Sequence, residues 1–349
     1  VRAKDIGENG EFWRLRGTNL GMDSRYLIID AGIQGRQQFF IEYDQLPDYE
    51  NDTWSSPFTN PGSTRLNLTA GYRFSNLDSY LLPFDLETQR KRLGLGGKVR
   101  LKRRWQLSGS VSRETKEGTD WIGAAMGPTT PDNIFKYTNG ALLPEPIDYE
   151  TNKIDVALNY HGKKTQLEFA YHGSLFSNND TSLSWTDPLV DPNPKLDSEV
   201  YRSGSISLEP DNQMHQLSAI MGHVLSPTNR LTGLLSVSHL SQDENFFPYS
   251  VYDTVDSLPQ KSADAEVWLY RGQLKLTSRP MRKLRLAAQY NYDERDNKTD
   301  ANSYSYILAD GVPGEELINP RTNDPLSYRR HKVDLTANYR LNSKVGLRV

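Results

Sequence analysis

Cysteine is absent from all 349 residues of the sequence. Its absence excludes disulfides, iron–sulfur clusters, zinc–thiolate sites and the C-x-x-C-H attachment of c-type haem. This chain therefore holds no haem covalently. Any redox role must belong to a partner protein.

Long apolar runs are also missing. No stretch of about 18 apolar residues occurs, so the sequence encodes no membrane-spanning helix. Hydrophobic residues make up 36% of the chain and the mean hydropathy is -0.68, which is little apolar material for a conventional core of this size. A closed β-barrel remains the other way to cross a membrane, because its strands need only one apolar face. No charged and apolar leader begins at Val1, so we expect an exported precursor to have lost its signal already.

Charge of one sign is not in excess. The sequence has 41 Lys and Arg against 44 Asp and Glu, for a net charge of -3. This balance gives no reason to expect a nucleic-acid partner.

Catalytic motifs are missing as well. Neither G-x-S-x-G nor H-E-x-x-H occurs, so we expect no enzyme. Asp293, Asp296, Asn297 and Asp300 resemble an oxygen-ligand Ca²⁺ loop, but they lack the EF-hand order and lie at a predicted strand end. A solvated turn is the favoured interpretation. We expect no catalytic, cofactor-binding or metal-binding residue in this chain.

Alternation of apolar and polar residues is what the sequence does contain. In residues 99–112 the apolar or small set is Val99, Leu101, Trp105, Leu107, Gly109 and Val111. The residues between them are charged or polar, and Arg103 and Arg104 interrupt the pattern. This two-residue period is typical of β-strands, and the arginine pair indicates a tight turn.

Hairpins of this kind recur along the chain. Their turns lie near residues 35, 103, 163, 227, 280 and 342. Long polar segments separate them, at 47–88, 117–150, 177–213, 242–263 and 295–328. In an up-and-down sheet successive connections lie on opposite edges, so all the short turns share one edge and all the long loops share the other.

This pattern predicts an all-β fold, a large antiparallel up-and-down transmembrane β-barrel in the bacterial outer membrane. We count about twelve strands of roughly 10 to 13 residues. We expect residues 1–349 to form a single barrel domain that is incomplete at its C-terminal end. A soluble sandwich or propeller predicts short strands and loops of similar length on both edges, which the lopsided loops disfavour.

In such a barrel the apolar alternates face lipid and the polar alternates face the lumen. The candidate lumen-facing contacts for a partner are Arg92, Lys98, Arg100, Lys102, Gln106, Asp155, Asn159, Gln166, Glu168 and His172. A solvated wall without specific contacts is the alternative for each of them.

Several blocks together resemble the MtrB/PioB family of outer-membrane barrels associated with decahaem cytochromes. They are FWRLRGTNLGMDSRYL (12–27), FIEYDQLPDY (40–49), SPF (56–58), RETKEGTDWIGAAMG (113–127), LEPDNQMHQLSAIMGHVLSPTNRL (208–231) and SQDENFFPY (241–249). The blocks cover most of the chain in order. The sequence is far shorter than a typical member and lacks a cysteine pair that some members carry near the N-terminus.

The resemblance implies a porin-like sheath around a periplasmic multihaem c-type cytochrome of the decahaem type, which supports electron transfer across the outer membrane. The partner cytochrome would carry the haem c, and a second cytochrome at the outer surface would dock on the long loops. The alternative is a diffusive outer-membrane porin or substrate channel with a water-filled lumen.

Overall fold

The computed structural model describes residues 1–126, 139–189, 203–249, 258–306, 318–342 and 345–349. Within these ranges no helix has both the length and the apolar character needed to cross a bilayer. The same ranges contain one 3-10 helix, at Phe74–Ser79.

In the described residues fourteen strands form one antiparallel sheet, in which each pairs with the next of these fourteen along the chain. These strands are β1 (Arg2–Ile6), β2 (Glu11–Thr18), β3 (Arg25–Ile33), β4 (Gln37–Ser56), β6 (Leu82–Lys102), β7 (Trp105–Met126), β8 (Asn139–His161), β9 (Thr165–Asn178), β12 (Asn212–Ser226), β13 (Asn229–Gln242), β14 (Ala265–Met281), β15 (Leu284–Asn297), β18 (Tyr328–Arg340) and β19 (Gly346–Arg348). The edge strands β1 and β19 do not pair with each other in the described part of the chain, so the sheet is open.

Where the long loops are described, they contain five further strands. They are β5 (Arg65–Leu66), β10 (Ser182–Thr186), β11 (Ser203–Ser207), β16 (Ser303–Tyr306) and β17 (Ile318–Thr322). Strands β5, β10 and β11 form a three-stranded sheet, and β16 pairs with β17.

The connections have the predicted asymmetry. On one edge the strands are joined by short turns at 7–10, 34–36, 103–104, 162–164, 227–228 and 282–283, and only a few residues separate β18 from β19. On the other edge the consecutive strands of the large sheet are separated by long stretches of chain at 57–81, 179–211, 243–264 and 298–327. At the turn near residue 35, Gly35 adopts a φ of 70°, which a residue with a Cβ rarely adopts.

The predicted strand number and strand lengths need correction. The described sheet has fourteen strands where the sequence pattern predicts about twelve, and the two additional strands are β1 and β2. Strands β4, β6, β7 and β8 contain 20 to 23 residues, so much of the loops predicted at 47–88 and 117–150 is strand. Parts of the predicted loops, at 127–138, 190–202, 250–257 and 307–317, lie outside the described residues.

Register separates the sheet into an apolar and a polar face. One row of neighbours consists of Val99, Leu107, Leu158, Phe169, Ala219 and Leu235. Leu235 is 67% exposed and Leu335, on β18, is 73% exposed. A sheet whose large apolar side chains point away from the protein requires an apolar medium around it.

The buried core lies at the long-loop end. Leu66 of β5 and Leu183 and Trp185 of β10 pack with Leu143 of β8 and Ala124 of β7. Ala124 lies an even number of residues from Ser108 on β7, and Leu143 an even number from Asp155 on β8. Both therefore point to the polar face of the sheet. We call the three-stranded sheet β5, β10 and β11 the cap, because it covers the polar face at the long-loop end.

Candidate functional site

Strand pairing brings nine of the ten candidate contact residues onto the polar face. Arg100 pairs with Gln106, Gln106 with Asn159, and Asn159 with Glu168, so these four residues form one row across β6, β7, β8 and β9. Asp155 pairs with His172, and Gln166 lies opposite His161. Lys98 and Arg92 lie an even number of residues from Arg100 on β6, so they share its face.

Lys102 is placed differently. A register shift between Arg100 and Lys102 sets Lys102 opposite Trp105, whose other neighbour is Tyr160 of the apolar face. Pairing therefore separates Lys102 from the other nine residues. The shift was not visible in the sequence, because alternation alone does not show an extra residue in one strand.

Some of these residues are already paired within the sheet. Arg92 Nη2 lies 2.9 Å from Glu42 Oε1, and His172 Nδ1 lies 2.6 Å from Asp155 Oδ1. Lys98 and Arg100 are exposed and make no ion pair with a described residue. The polar face thus offers free cationic groups beside pairs that are held in place.

A groove of about 450 Å³ crosses this face from β4 to β12. Its lining includes Lys98, Asp155 and His172, together with Gln216 and Ser218 of β12. Donors and acceptors from distant parts of the chain are therefore presented on one concave surface. Such a surface is suited to hydrogen bonding with water or with a polar protein.

One polar cluster was missed in the sequence. The carboxylate of Asp30, on β3, is buried and accepts hydrogen bonds from Arg14 Nε at 2.9 Å and Gln38 Nε2 at 3.1 Å. Register brings these side chains together from β2, β3 and β4. Only the pairing of β2 could have revealed the cluster, and β2 was not predicted.

A second buried acid lies beside the cap. The side chain of Glu145, on β8, is 6% exposed, and its Oε1 atom has no hydrogen-bond partner. Burial, followed by the charges of Glu209 and Asp120, raises the pKa of Glu145 from 4.5 to about 7. Nearby, the hydroxyl of Tyr149 donates a hydrogen bond to Glu209 Oε2 at 2.7 Å.

The described residues contain no cluster of three His, Asp or Glu side chains arranged to hold a metal ion. In the segment considered for Ca²⁺, Asp293 lies near Arg271 and Arg330, and Asp296 lies 2.9 Å from Lys298. These carboxylates are used in ion pairs along the sheet.

An open-ended meander of long antiparallel strands with one apolar face, short turns on one edge and long loops on the other has the architecture of an outer-membrane β-barrel. The apolar face of such a sheet meets lipid, and the polar face is the inner wall.

Comparison with known proteins agrees with this class. Residues 2–349 match the MtrB/PioB family of outer membrane beta-barrel porins, and the chain belongs to this family. A curated relative, outer membrane protein MtrB of Shewanella baltica (strain OS185), is 29% identical over 352 residues. That match covers 98% of this chain and 47% of the relative, so the chain spans about half the length of the relative.

Solved structures of similar fold include a mutant of the ferric enterobactin receptor PfeA of Pseudomonas aeruginosa. It matches with a TM-score of 0.50 and 9% identity, over 100% of this chain and 42% of the receptor. At this identity the likeness concerns the fold alone. The family match, not this likeness, identifies the protein as an outer-membrane protein of the barrel type.

Proposed function

We propose that this chain forms part of a barrel wall that holds a multihaem c-type cytochrome and so supports electron transfer across the outer membrane. The observation that carries the proposal is the uncovered polar face below the cap. There the row Arg100, Gln106, Asn159 and Glu168 crosses four strands, with the groove at Lys98, Asp155 and His172 beside it. A wall of this composition is suited to a folded polar protein.

The resemblance to barrels associated with decahaem cytochromes supports the choice of partner. The redox centres belong to that partner, because the 349 residues contain no cysteine to attach haem. In this arrangement the chain contributes an insulating wall and polar contacts.

The cap leaves room for this arrangement. Its core includes Ala124 and Leu143, which lie far along β7 and β8 from the short turns that begin at Arg103 and Gly162. The candidate contacts from Lys98 to His172 lie nearer those turns. A cytochrome that enters from the short-turn edge, which faces the periplasm in barrels of this class, meets the polar wall before it reaches the cap. A second cytochrome at the outer surface would contact the long loops.

A diffusive channel is the second candidate, and the cap itself favours it. A loop sheet folded onto the inner wall narrows the lumen, as a constriction does in a channel. A sheath, by contrast, needs an open lumen for its partner between the cap and the short-turn edge.

The test begins with the complete barrel purified from outer membranes in mild detergent. We expect a stoichiometric c-type cytochrome to co-purify, detected by its visible absorption spectrum and haem stain. The variant Lys98→Glu/Arg100→Glu should retain several-fold less cytochrome, because it reverses two exposed cations of the wall. The matched control Arg103→Glu/Arg104→Glu changes two cations in the adjacent turn and should retain the wild-type amount. A colourless barrel that conducts ions in planar bilayers would refute the sheath and leave the channel.

A further inference from the structure

The short-turn edge carries charge of one sign over most of its length. From the turn at 34–36 onward, the charged residues in its described turns and within two positions of them are all Lys or Arg. They are Arg36, Lys102, Arg103, Arg104, Lys163, Lys164, Arg230, Arg282, Lys283, Arg285 and Arg340. The turn at 7–10 is the exception, because it contains Glu8. By contrast, Asp and Glu outnumber Lys and Arg in the long loops 179–211 and 243–264.

Two neighbouring turns concentrate this charge. The backbone N–H of His161 donates a hydrogen bond to the carbonyl of Arg104 at 2.8 Å, which joins the β6–β7 turn to the start of the β8–β9 turn. Five cations therefore lie together. We call them the basic rim, and its members are Lys102, Arg103, Arg104, Lys163 and Lys164.

The basic rim lacks acidic partners. All five side chains are exposed, and none forms an ion pair with a carboxylate in the described chain. The contact seen at the rim is with a neutral group, since Arg104 Nη1 donates to the hydroxyl of Tyr160 at 3.3 Å. Five like charges held side by side repel one another, and an anionic ligand would relieve that repulsion.

The position of the rim relative to the membrane boundary indicates which anion it meets. Trp105 and Tyr160 pack with their ring centroids 4.9 Å apart, on the apolar face directly beside the rim. The next row of that face contains Leu107 and Leu158. Tyr and Trp favour the boundary between hydrocarbon and headgroups, so the rim lies at the level of lipid phosphates.

We propose that the basic rim binds anionic phospholipid headgroups of the leaflet that meets the short-turn edge. The cations supply the charge, the Trp105–Tyr160 pair supplies the hydrocarbon boundary, and Lys and Arg stems reach along apolar surface to the phosphates. Each cation near an anionic membrane surface favours binding by about 1 kcal/mol, roughly fivefold in affinity. If only two of the five cations engage a headgroup, the rim should therefore prefer anionic lipid over zwitterionic lipid by more than about tenfold.

The test is native mass spectrometry of the complete barrel in a neutral detergent. Phosphatidylglycerol and phosphatidylcholine with the same acyl chains are added at equal concentration, and the retained lipids are counted. The quadruple variant carries Arg103→Gln, Arg104→Gln, Lys163→Gln and Lys164→Gln. The control is Lys98→Gln/Arg100→Gln, which removes two exposed cations from the polar face near the same turn. Heat-modifiable gel mobility verifies that each variant is folded.

We expect the wild type and the control to prefer phosphatidylglycerol and the quadruple variant to lose that preference. Equal retention of both lipids by the wild type would overturn the proposal, as would an unchanged preference in a folded variant. Loss of a co-purifying acidic protein from the variant, with lipid retention unchanged, would instead assign the rim to a protein partner. None of these lipid results depends on whether a cytochrome occupies the lumen.

Discussion

We predict that attachment of the cap depends on pH through Glu145, which lies two positions from Leu143 of the buried core on β8. Its carboxyl is 6% exposed and has an oxygen without a partner, so the folded wall favours the protonated form. Its pKa is raised from 4.5 to about 7 by burial first and then by Glu209 and Asp120, while Lys116 acts in the opposite direction. The charged form is the one that destabilises this region.

The direction and the size of this pH effect on stability follow from proton linkage. The folded state holds its proton over a range in which the unfolded region has already lost it, so stability is fully present below about pH 4.5 and is lost as the pH rises through about 7. A pKa change from 4.5 to about 7 corresponds to about 3 kcal/mol. Glu145→Gln should remove that loss, because a neutral amide takes the place of the carboxylate.

The assay is hydrogen exchange of the cap in detergent-solubilised barrel. Exchange in the β10 peptide Ser182–Thr186 is compared at about pH 5 and about pH 8 after correction for the intrinsic rate. The wild type should lose protection at the higher pH by up to roughly a hundredfold, which is the equivalent of about 3 kcal/mol. In the Glu145→Gln variant the β10 peptide should keep its protection at both pH values.

The matched control is Glu87→Gln, which neutralises an exposed carboxylate on β6. It should exchange like the wild type at each pH. Equal protection of the wild-type cap at both values would refute the linkage between Glu145 and cap attachment, and so would a pH effect that persists in Glu145→Gln.

Three other substitutions test the packing. Leu183→Ala should release the cap, since this side chain is fully buried and its loss costs about 2 to 5 kcal/mol; Leu175→Ala, on the exposed apolar face, is its control, and both are followed by limited proteolysis. Gly118→Ala should cost about 1 to 3 kcal/mol in thermal unfolding, because Gly118 has a φ of 144° and an added Cβ would lie 2.2 Å from a carbonyl oxygen. Asp30→Ala should cost about 1 to 3 kcal/mol in the same assay, because its two donors lose their acceptor.

Each of these predictions has an outcome that contradicts it. A cap that stays protease-resistant in Leu183→Ala, or is released equally in Leu175→Ala, would show that the buried cluster does not hold it. Gly123→Ala serves as the control for Gly118→Ala, because open space surrounds its added Cβ, and equal unfolding temperatures would exclude the close contact. An unchanged unfolding temperature in Asp30→Ala would mean that water satisfies both donors.

Much of the sheet could be predicted because its information is local. A two-residue period identifies strand and face from a few neighbours, and clusters such as Arg103–Arg104 or Gly162–Lys164 identify the turns. The alternation of apolar and polar residues weakens where β7 and β8 continue beyond the predicted strands. Gly118 and Glu145 interrupt it there, so the local pattern predicts a loop.

The cap and the polar clusters could not be predicted in the same way. Leu66 and Leu183 come together from loops more than a hundred residues apart, and no local pattern encodes that contact. Similarly, the burial of Asp30 depends on the register of β2 against β3. For nine of the candidate contacts the side of the sheet was predictable from alternation, whereas the position of Lys102 depended on a register shift in the last residues of β6.

The most direct measurement places a photo-crosslinking amino acid at Gln106 and, in a second variant, at its neighbour Leu107, in the complete barrel in outer membranes. Gln106 lies on the polar face in the row with Asn159 and Glu168, and Leu107 lies on the apolar face. A wall around a cytochrome predicts a haem-stained protein adduct from position 106 and only lipid adducts from position 107. Protein adducts absent from both positions, in membranes that contain the cytochrome, would contradict the proposed sheath.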